Sequence, residues 1–376
     1  MGCFLYLFKN GGERDESKLT KSVSVESSNS KSLDDREPGR SGSKFTSRSA
    51  AASTRDSLER SCRSRSVTRR TTKLRVFAFS QLKTATKNFS RSAQVGEGGF
   101  GCVYKGFIRS SNGSSTEIEV AVKQLTKGGF QGHKEWVTEV DVLGIVEHPN
   151  LVKLLGYCVD DDERGIQRLL VYEFMPNGSV RDHLSARSQK PFSWTMRLQV
   201  ARDTARGLAY LHEGMQSQVI LRDFKSSNIL LDEHWNAKLS DFGLARFGPT
   251  DGSTHISTAV AGTMGYAAPE YARTGHLSSK NDVWSYGVFL YELITGRPPL
   301  DRKRPKQEQK LLDWIKPYLR DMKKFERVVD PMLRGNYHLK SVQKLAAVAH
   351  RCLGNHPKSR PKMSEVLEEV TKIVDG

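Results

Sequence analysis

Two apolar runs that alternate with polar residues flank a cluster of glycines between residues 94 and 123, and a Ser/Asn/Gly stretch over residues 110–115 separates them as a hairpin loop would. These runs predict strands. Trp136, Val140 and Leu143 then recur at helical spacing, with Glu139 at the edge of that apolar stripe, so a carboxylate there can reach inward. Residues 151–159 and 169–174 predict two further strands, joined by the acidic turn Asp160-Asp161-Asp162-Glu163 and residues 164–168, and Met175-Pro176-Asn177-Gly178 closes the strand region. Beyond it the period becomes helical. Trp194, Leu198, Ala201, Ala205 and Leu208 share one face, and residues 284–295, 311–319 and 342–352 are helix-like. Strands first and helices afterwards predict an α+β molecule, with a β-rich lobe carrying one helix followed by a mostly helical lobe.

Upstream the pattern fails. Residues 9–72 are rich in Ser, Arg, Lys and Thr, with few large apolar side chains and no sustained period, so they cannot bury enough surface to offset chain ordering. A disordered tail over residues 1–73 is expected. Phe77, Phe79 and residues 81–89 mark the return of packing, as a short strand or turn and one helix, giving an extension over 74–89. The main domain then runs over 90–376, its two lobes meeting near residues 175 and 176. No internal repeat is visible.

Composition sharpens the account of the tail. The formal net charge is +17, but residues 1–39 carry 6 basic against 7 acidic side chains, whereas residues 40–75 carry 11 against 2. The excess is therefore concentrated, and it fits an anionic membrane surface. No specific nucleic acid is expected, because no folded reader or aromatic platform accompanies the basic stretch. A nuclear-localisation role for residues 63–70 stays open. The five cysteines (Cys3, Cys62, Cys102, Cys158, Cys352) are scattered without metal-ligand spacing, so neither a disulfide framework nor a zinc site is suggested, and a reducing compartment fits best. Cys102, Cys158 and Cys352 lie among apolar neighbours and are expected to be core thiols. Gly2 and Cys3 have the arrangement used for N-myristoylation with adjacent S-palmitoylation, although Tyr6 stands where that pattern has Ser or Thr.

The candidate chemistry lies in five short segments. Gly96-Glu97-Gly98-Gly99-Phe100-Gly101-Cys102-Val103 strips side chains from a strand-turn-strand, so that backbone N–H groups can approach phosphate oxygens; a dinucleotide fold would need a helix immediately afterwards, and Val103-Tyr104-Lys105-Gly106 continues as a strand. Lys123, after Val120-Ala121-Val122, projects from a buried strand and needs an acidic partner; Glu139 is preferred over Glu135, one helical turn earlier. Asp223, in Leu221-Arg222-Asp223, would accept or orient the proton of a substrate hydroxyl. Asn228 and Asp241, the latter in Asp241-Phe242-Gly243, would hold Mg2+, with Mn2+ as a substitute. Ala268-Pro269-Glu270 completes the series, with Glu270 expected to pair with Arg360 and Asp282 to brace the Asp223 loop. This order predicts an ATP-dependent phosphotransferase.

From residue 89 to 373 these segments resemble the eukaryotic protein kinases, which implies the bilobal kinase fold. Lys225 and Thr263 resemble the serine/threonine class. Residues 96–101, 223–228, 263–271 and 293–297 are similar to plant receptor-like kinases. With no ectodomain or membrane span expected, the chain resembles the receptor-like cytoplasmic kinases of subfamily VII, and residues 165–173 resemble one clade of it. The resemblance implies that Lys225 contacts the γ-phosphate. It also implies Tyr172 as gatekeeper, Glu173 and Met175 as hinge groups for adenine, and Ala121 and Leu230 as further ATP contacts. Ser257 and Thr258 would be activating phosphorylation sites, with Thr263 a further acceptor, and Arg222 would pair with the activation-segment phosphate. It implies protein substrates, upstream receptor kinase complexes, a lipid-anchored place on the inner plasma membrane with nucleus or cytosol as secondary sites, and a role in plant immune signalling. One departure is Leu221, where the family has histidine. Leucine can fill apolar space, so activity is expected; the alternative is a pseudokinase scaffold in the same complexes.

Overall fold

The computed structural model describes residues 74–98, 101–109, 116–125, 130–162, 165–185, 192–250, 252–319 and 322–376. The tail with Gly2 and Cys3, and the loop tip Gly99-Phe100, lie outside the described residues.

The N-terminal lobe is a six-stranded sheet in the order β1-β5-β8-β4-β3-β2. Its strands are β1 (Arg75–Val76), β2 (Gln94–Gly98), β3 (Gly101–Arg109), β4 (Glu117–Leu125), β5 (Leu154–Cys158) and β8 (Leu169–Glu173); β1 pairs with β5 in parallel and the other pairs are antiparallel. Helix α1 (Phe79–Ala85) belongs to the extension, and α2 (Phe130–Leu143) is the helix of this lobe. The acidic segment expected as a turn forms a small hairpin, β6 (Asp161–Asp162) with β7 (Gly165–Ile166).

Strand alternation gives the sheet two different faces. Val120, Val122, Leu169 and Val171 pack with Phe77, Leu82 and Cys158 in a core sealed by the extension. Leu170 and Tyr172 turn the other way, into the main core with Trp136 and Leu143. Gly156 admits β1: a Cβ there would come within 2.0 Å of the Arg75 carbonyl oxygen.

The C-terminal lobe begins with α3 (Val180–Leu184), capped by Ser179, whose hydroxyl accepts the Asp182 N–H, and α4 (Trp194–Ala209), capped in the same way by Ser193. Two short ladders follow: β9 (Val219–Ile220) pairs with β12 (Arg246–Phe247), and β10 (Ile229–Leu231) with β11 (Ala237–Leu239). A third, β13 (Ile256–Ser257) with β14 (His276–Leu277), lies on either side of α5 (Pro269–Thr274). Helix α6 (Ser279–Thr295) runs through the centre and is buried from Val283 to Thr295 except at Trp284. Around it stand α7 (Leu311–Ile315), α8 (Met322–Phe325), α9 (Leu339–Cys352) and α10 (Met363–Val374). The helical pattern over 311–319 overran: helix stops at Ile315, and although Lys316 still holds helical backbone, Pro317 has no N–H with which to continue the ladder.

Cys158 and Cys352 are core thiols, and burial pushes them up to about 11 and about 12. Cys102 is not. It is half-buried on β3, with Gln94 Nε2 3.8 Å from its sulfur.

Candidate active site

Strand register assembles one side of the candidate site. Val103 pairs with Lys123, Lys123 with Leu170, and Ala121 with Tyr172, so Val103, Ala121, Lys123 and Tyr172 share one face of the sheet. The glycine hairpin closes above them through Glu97 paired with Cys102 and Gly98 with Gly101. Gly101 is obligatory: its φ is +135°, and a Cβ would fall 1.9 Å from the Gln124 carbonyl oxygen.

Lys123 Nζ lies 2.6 Å from Glu139 Oε1 and 2.9 Å from Asp241 Oδ1. Burial alone would drive the ammonium towards neutrality, but the two carboxylates outweigh it and hold Lys123 above its usual pKa. Glu139 is fully buried, and its second oxygen accepts from the Tyr172 hydroxyl. The competing acid Glu135 is also buried and packs beside Gly243. Tyr172, implied by the resemblance as gatekeeper, also makes a polar contact that the sequence does not announce. Its bond to Glu139 ties the hinge strand to α2.

Asp223 is held from two sides: Lys225 Nζ donates to Oδ2 at 2.7 Å, and the Thr263 hydroxyl donates to Oδ1 at 2.7 Å. Thr263, expected to accept a phosphate, thus spends its hydroxyl on Asp223 and takes a further bond from Lys225 at 3.0 Å. A phosphate there would set negative charge against the Asp223 carboxylate. Asn228 Nδ2 donates to the Asp223 carbonyl at 3.1 Å. Ser240 N–H and Oγ both donate to the Asn228 carbonyl at 2.8 Å, which brings Asn228 beside Asp241. With the amide nitrogen of Asn228 donating to the Asp223 carbonyl, its side-chain oxygen and the Asp241 carboxylate are hard oxygen donors, the type that suits a divalent cation. Arg222 and Asp241 hold φ of 71° and 61°, left-handed conformations that their surroundings must enforce.

Asp282 supplies part of that enforcement. Its carboxylate accepts the backbone N–H groups of Leu221 and Arg222 at 2.8 Å each, and a third contact from His212 Nε2 at 2.8 Å. Leu221 is buried in the same apolar core as Phe224 and Phe242. The loop is therefore braced through the backbone of residue 221, which leucine supplies as well as histidine does.

Arg222 faces residues 258–271. Its Nε donates to the Tyr271 hydroxyl at 2.7 Å, and its Nη2 to the Ala259 carbonyl and, at 3.4 Å, to the Thr258 hydroxyl. Burial and then the charge of Arg222 push Arg246 below its ordinary pKa, so two cations converge there. Ser257 is exposed on β13, opposite His276.

At the end of β8, the Glu173 carboxylate accepts from Lys238 Nζ at 2.9 Å and from the Lys153 N–H at 2.8 Å; Met175 is buried. Leu230, on β10, bridges to Ser179 at the start of α3. Glu292 was missed in the sequence. It is buried on α6 and accepts from Ser226 Oγ at 2.8 Å and from the Tyr266 hydroxyl, tying the Asp223 loop to the segment after Thr263. Burial raises it to about 7. An acid inside the apolar run of α6 was the available signal.

A family model described as protein tyrosine and serine/threonine kinase matches residues 89–370. The serine/threonine-protein kinase PCRK1 of Arabidopsis thaliana is 64% identical over 377 aligned residues, covering 100% of this chain and 89% of that protein. The serine/threonine-protein kinase PCRK2 of the same organism is 60% identical, covering 100% and 88%. Serine/threonine-protein kinase PBL36 is 53% identical, covering 80% and 63%.

Proposed function

Because the chain belongs to the protein tyrosine and serine/threonine kinase family and, within it, to the receptor-like cytoplasmic kinases, we propose that the residues gathered around Lys123 and Asp223 carry its catalysis. It is a serine/threonine protein kinase, using ATP and a divalent metal to modify protein substrates. The observation that carries the assignment of roles is the meeting of Lys123 with Glu139 and Asp241, beside an Asp223 held by Lys225 and Thr263.

In this assignment the glycine hairpin covers the phosphates. Lys123 neutralises their oxygens while Glu139 fixes its position, and Glu173 and Met175 offer backbone groups to the base. Asn228 and Asp241 would hold Mg2+, or Mn2+ in its place, which would supply positive charge to screen the phosphates. Asp223 takes the proton of the substrate hydroxyl as its oxygen bonds to the γ-phosphorus and the bridging P–O bond to ADP breaks. Lys225 steadies the transferring group. A silent scaffold, the alternative raised by Leu221, would lack the lysine, the base or a metal-binding residue, and this chain keeps all of them.

Switching is assigned to Thr258. A phosphate at its Oγ would lie against Arg222, with Arg246 close by, and would gain charge-assisted hydrogen bonds. Thr258→Ala is expected to lower the activity of the activated enzyme by about tenfold or more, against about threefold or less for Ser257→Ala. Specific activity with each phosphosite mapped by mass spectrometry checks this; equal losses would return Ser257 to the same rank.

We place the kinase beneath the plasma membrane, anchored through acylated Gly2 and Cys3 with the basic segment 40–75 on anionic lipid, and receiving its phosphate from cell-surface receptor complexes in immune signalling. No helix among the described residues is long and apolar enough to cross a membrane. A Gly2→Ala/Cys3→Ala variant is expected to move from the membrane to cytosol and nucleus in live imaging. Unchanged membrane residence would refute the anchor.

A further inference from the structure

We infer that Trp136 is a positioning residue for phosphoryl transfer, its indole N–H holding α2 against β8 in the rotation that aims Glu139 at Lys123. The inference rests on the assignment of Glu139 as the partner that fixes Lys123.

Trp136 precedes Glu139 by three residues, so the two side chains leave α2 on the same face, one turn apart. The indole is 6% exposed, and its Nε1–H donates to the Leu169 carbonyl oxygen at 3.1 Å in a buried bond. Leu169 opens β8 and lies opposite Gln124 in the β4 ladder, where the next pair is Lys123 with Leu170. The acceptor is therefore one residue from the strand neighbour of the lysine itself. The bond sets the helix relative to the part of the sheet on which Lys123 stands.

The ring is fixed on several sides. The Tyr157 ring meets it nearly perpendicularly, at 5.4 Å and 86°. The Arg168 guanidinium lies 5.3 Å from its centroid, and the His133 ring stacks against it at 6.4 Å. Tyr157 in turn is paired with Val76 of β1, so the extension supports the strand that supports the indole.

Apolar packing alone would not define this rotation, because it is non-directional. A hydrogen bond weakens steeply when misaligned, and an indole N–H can only donate. Turning α2 by one residue would swing Glu139 about 100° from Lys123, and it would also strand the Trp136 donor in a dry interior. One side chain thus penalises the helix positions in which the Lys123–Glu139 pair is broken.

The test is a double-mutant cycle on the full chain, with ATP varied against a serine- and threonine-rich acceptor protein in Mg2+. Trp136→Phe, which keeps an aromatic ring and removes the donor, is expected to lower kcat/KM for ATP about fivefold to tenfold. In a Glu139→Gln background the same change is expected to cost less than about twofold, because the residue acts through Glu139. Incorporating benzothienylalanine at position 136 preserves the bicyclic shape without the N–H and should reproduce the Trp136→Phe result even where that variant folds poorly. An equal loss in both backgrounds, or wild-type kinetics with benzothienylalanine, would overturn the inference. If Glu139→Gln alone leaves kcat/KM unchanged, it is the assignment of Glu139 that fails instead.

Discussion

Replacing Asp223 with Asn should lower kcat about a thousandfold while leaving KM for ATP within about twofold, a split measured by steady-state phosphate transfer from Mg-ATP. The size follows from what the side chain loses. Asn is nearly isosteric, so the Thr263 hydroxyl can still donate to its amide oxygen, but the Lys225 ammonium at 2.7 Å loses its carboxylate and the substrate hydroxyl loses its proton acceptor. The selectivity follows from what stays. Lys123, Glu139 and Asp241 bond to one another in the ion cluster assigned above to the nucleotide, whereas the Asp223 carboxylate is held by Lys225 and Thr263. A fall in ATP affinity of more than about tenfold would mean that Asp223 shapes the nucleotide site, and transfer at the wild-type rate would exclude it as the base.

The groups assigned above to the reaction stand out because each sits in a local pattern whose chemistry is one-dimensional: a lysine after three small or β-branched apolar residues, an amide five positions beyond an acid, an Asp-Phe-Gly turn. Glu139 could be preferred over Glu135 from its place on a helical stripe, and the structure brings it to Lys123 at 2.6 Å. Long-range contacts were less accessible. Glu292 reads as an anomaly in an apolar helix, and nothing in its neighbours says that Ser226 and Tyr266, 66 and 26 residues away, would meet it. The Tyr172–Glu139 bond spans 33 residues and depends on how α2 is rotated against β8, which is a matter of packing. In the fold, the strands of the N-terminal lobe followed their alternation closely. The helix over 311–319 overran because period alone does not weigh Pro317. Cys102 was misplaced because apolar sequence neighbours do not tell which face of a strand is covered.

Glu270→Ala should destabilise the protein by about 3–5 kcal/mol, a large part of the roughly 5–15 kcal/mol that separates folded from unfolded domains. The partner left behind explains the cost. Arg360 is fully buried as a side chain, meets both Glu270 oxygens at 2.7 and 2.8 Å in a bidentate pair, and lies 4.8 Å from the centre of the Trp284 ring. Its remaining bonds to the Gly354 and Lys280 carbonyls cannot balance the charge once the carboxylate is gone. Glu270 itself is 17% exposed, which puts the expected loss towards the lower end of the range. Removing both charges should cost less than removing one: Glu270→Leu/Arg360→Met is expected to recover more than half of the loss, because no buried charge is then left unpaired. Urea midpoints at constant slope measure both values. Kinase activity per folded molecule gives a second readout, because Glu270 lies in the first turn of α5 and the carbonyl of Gly275, which caps its end, accepts the Thr258 N–H at 3.0 Å. Loosening α5 therefore loosens the segment that presents Thr258 to Arg222, and activation should suffer even under conditions where the chain stays folded. A Glu270→Ala variant within about 1 kcal/mol of wild type would show that the Arg360 charge is balanced by its carbonyl and aromatic neighbours alone.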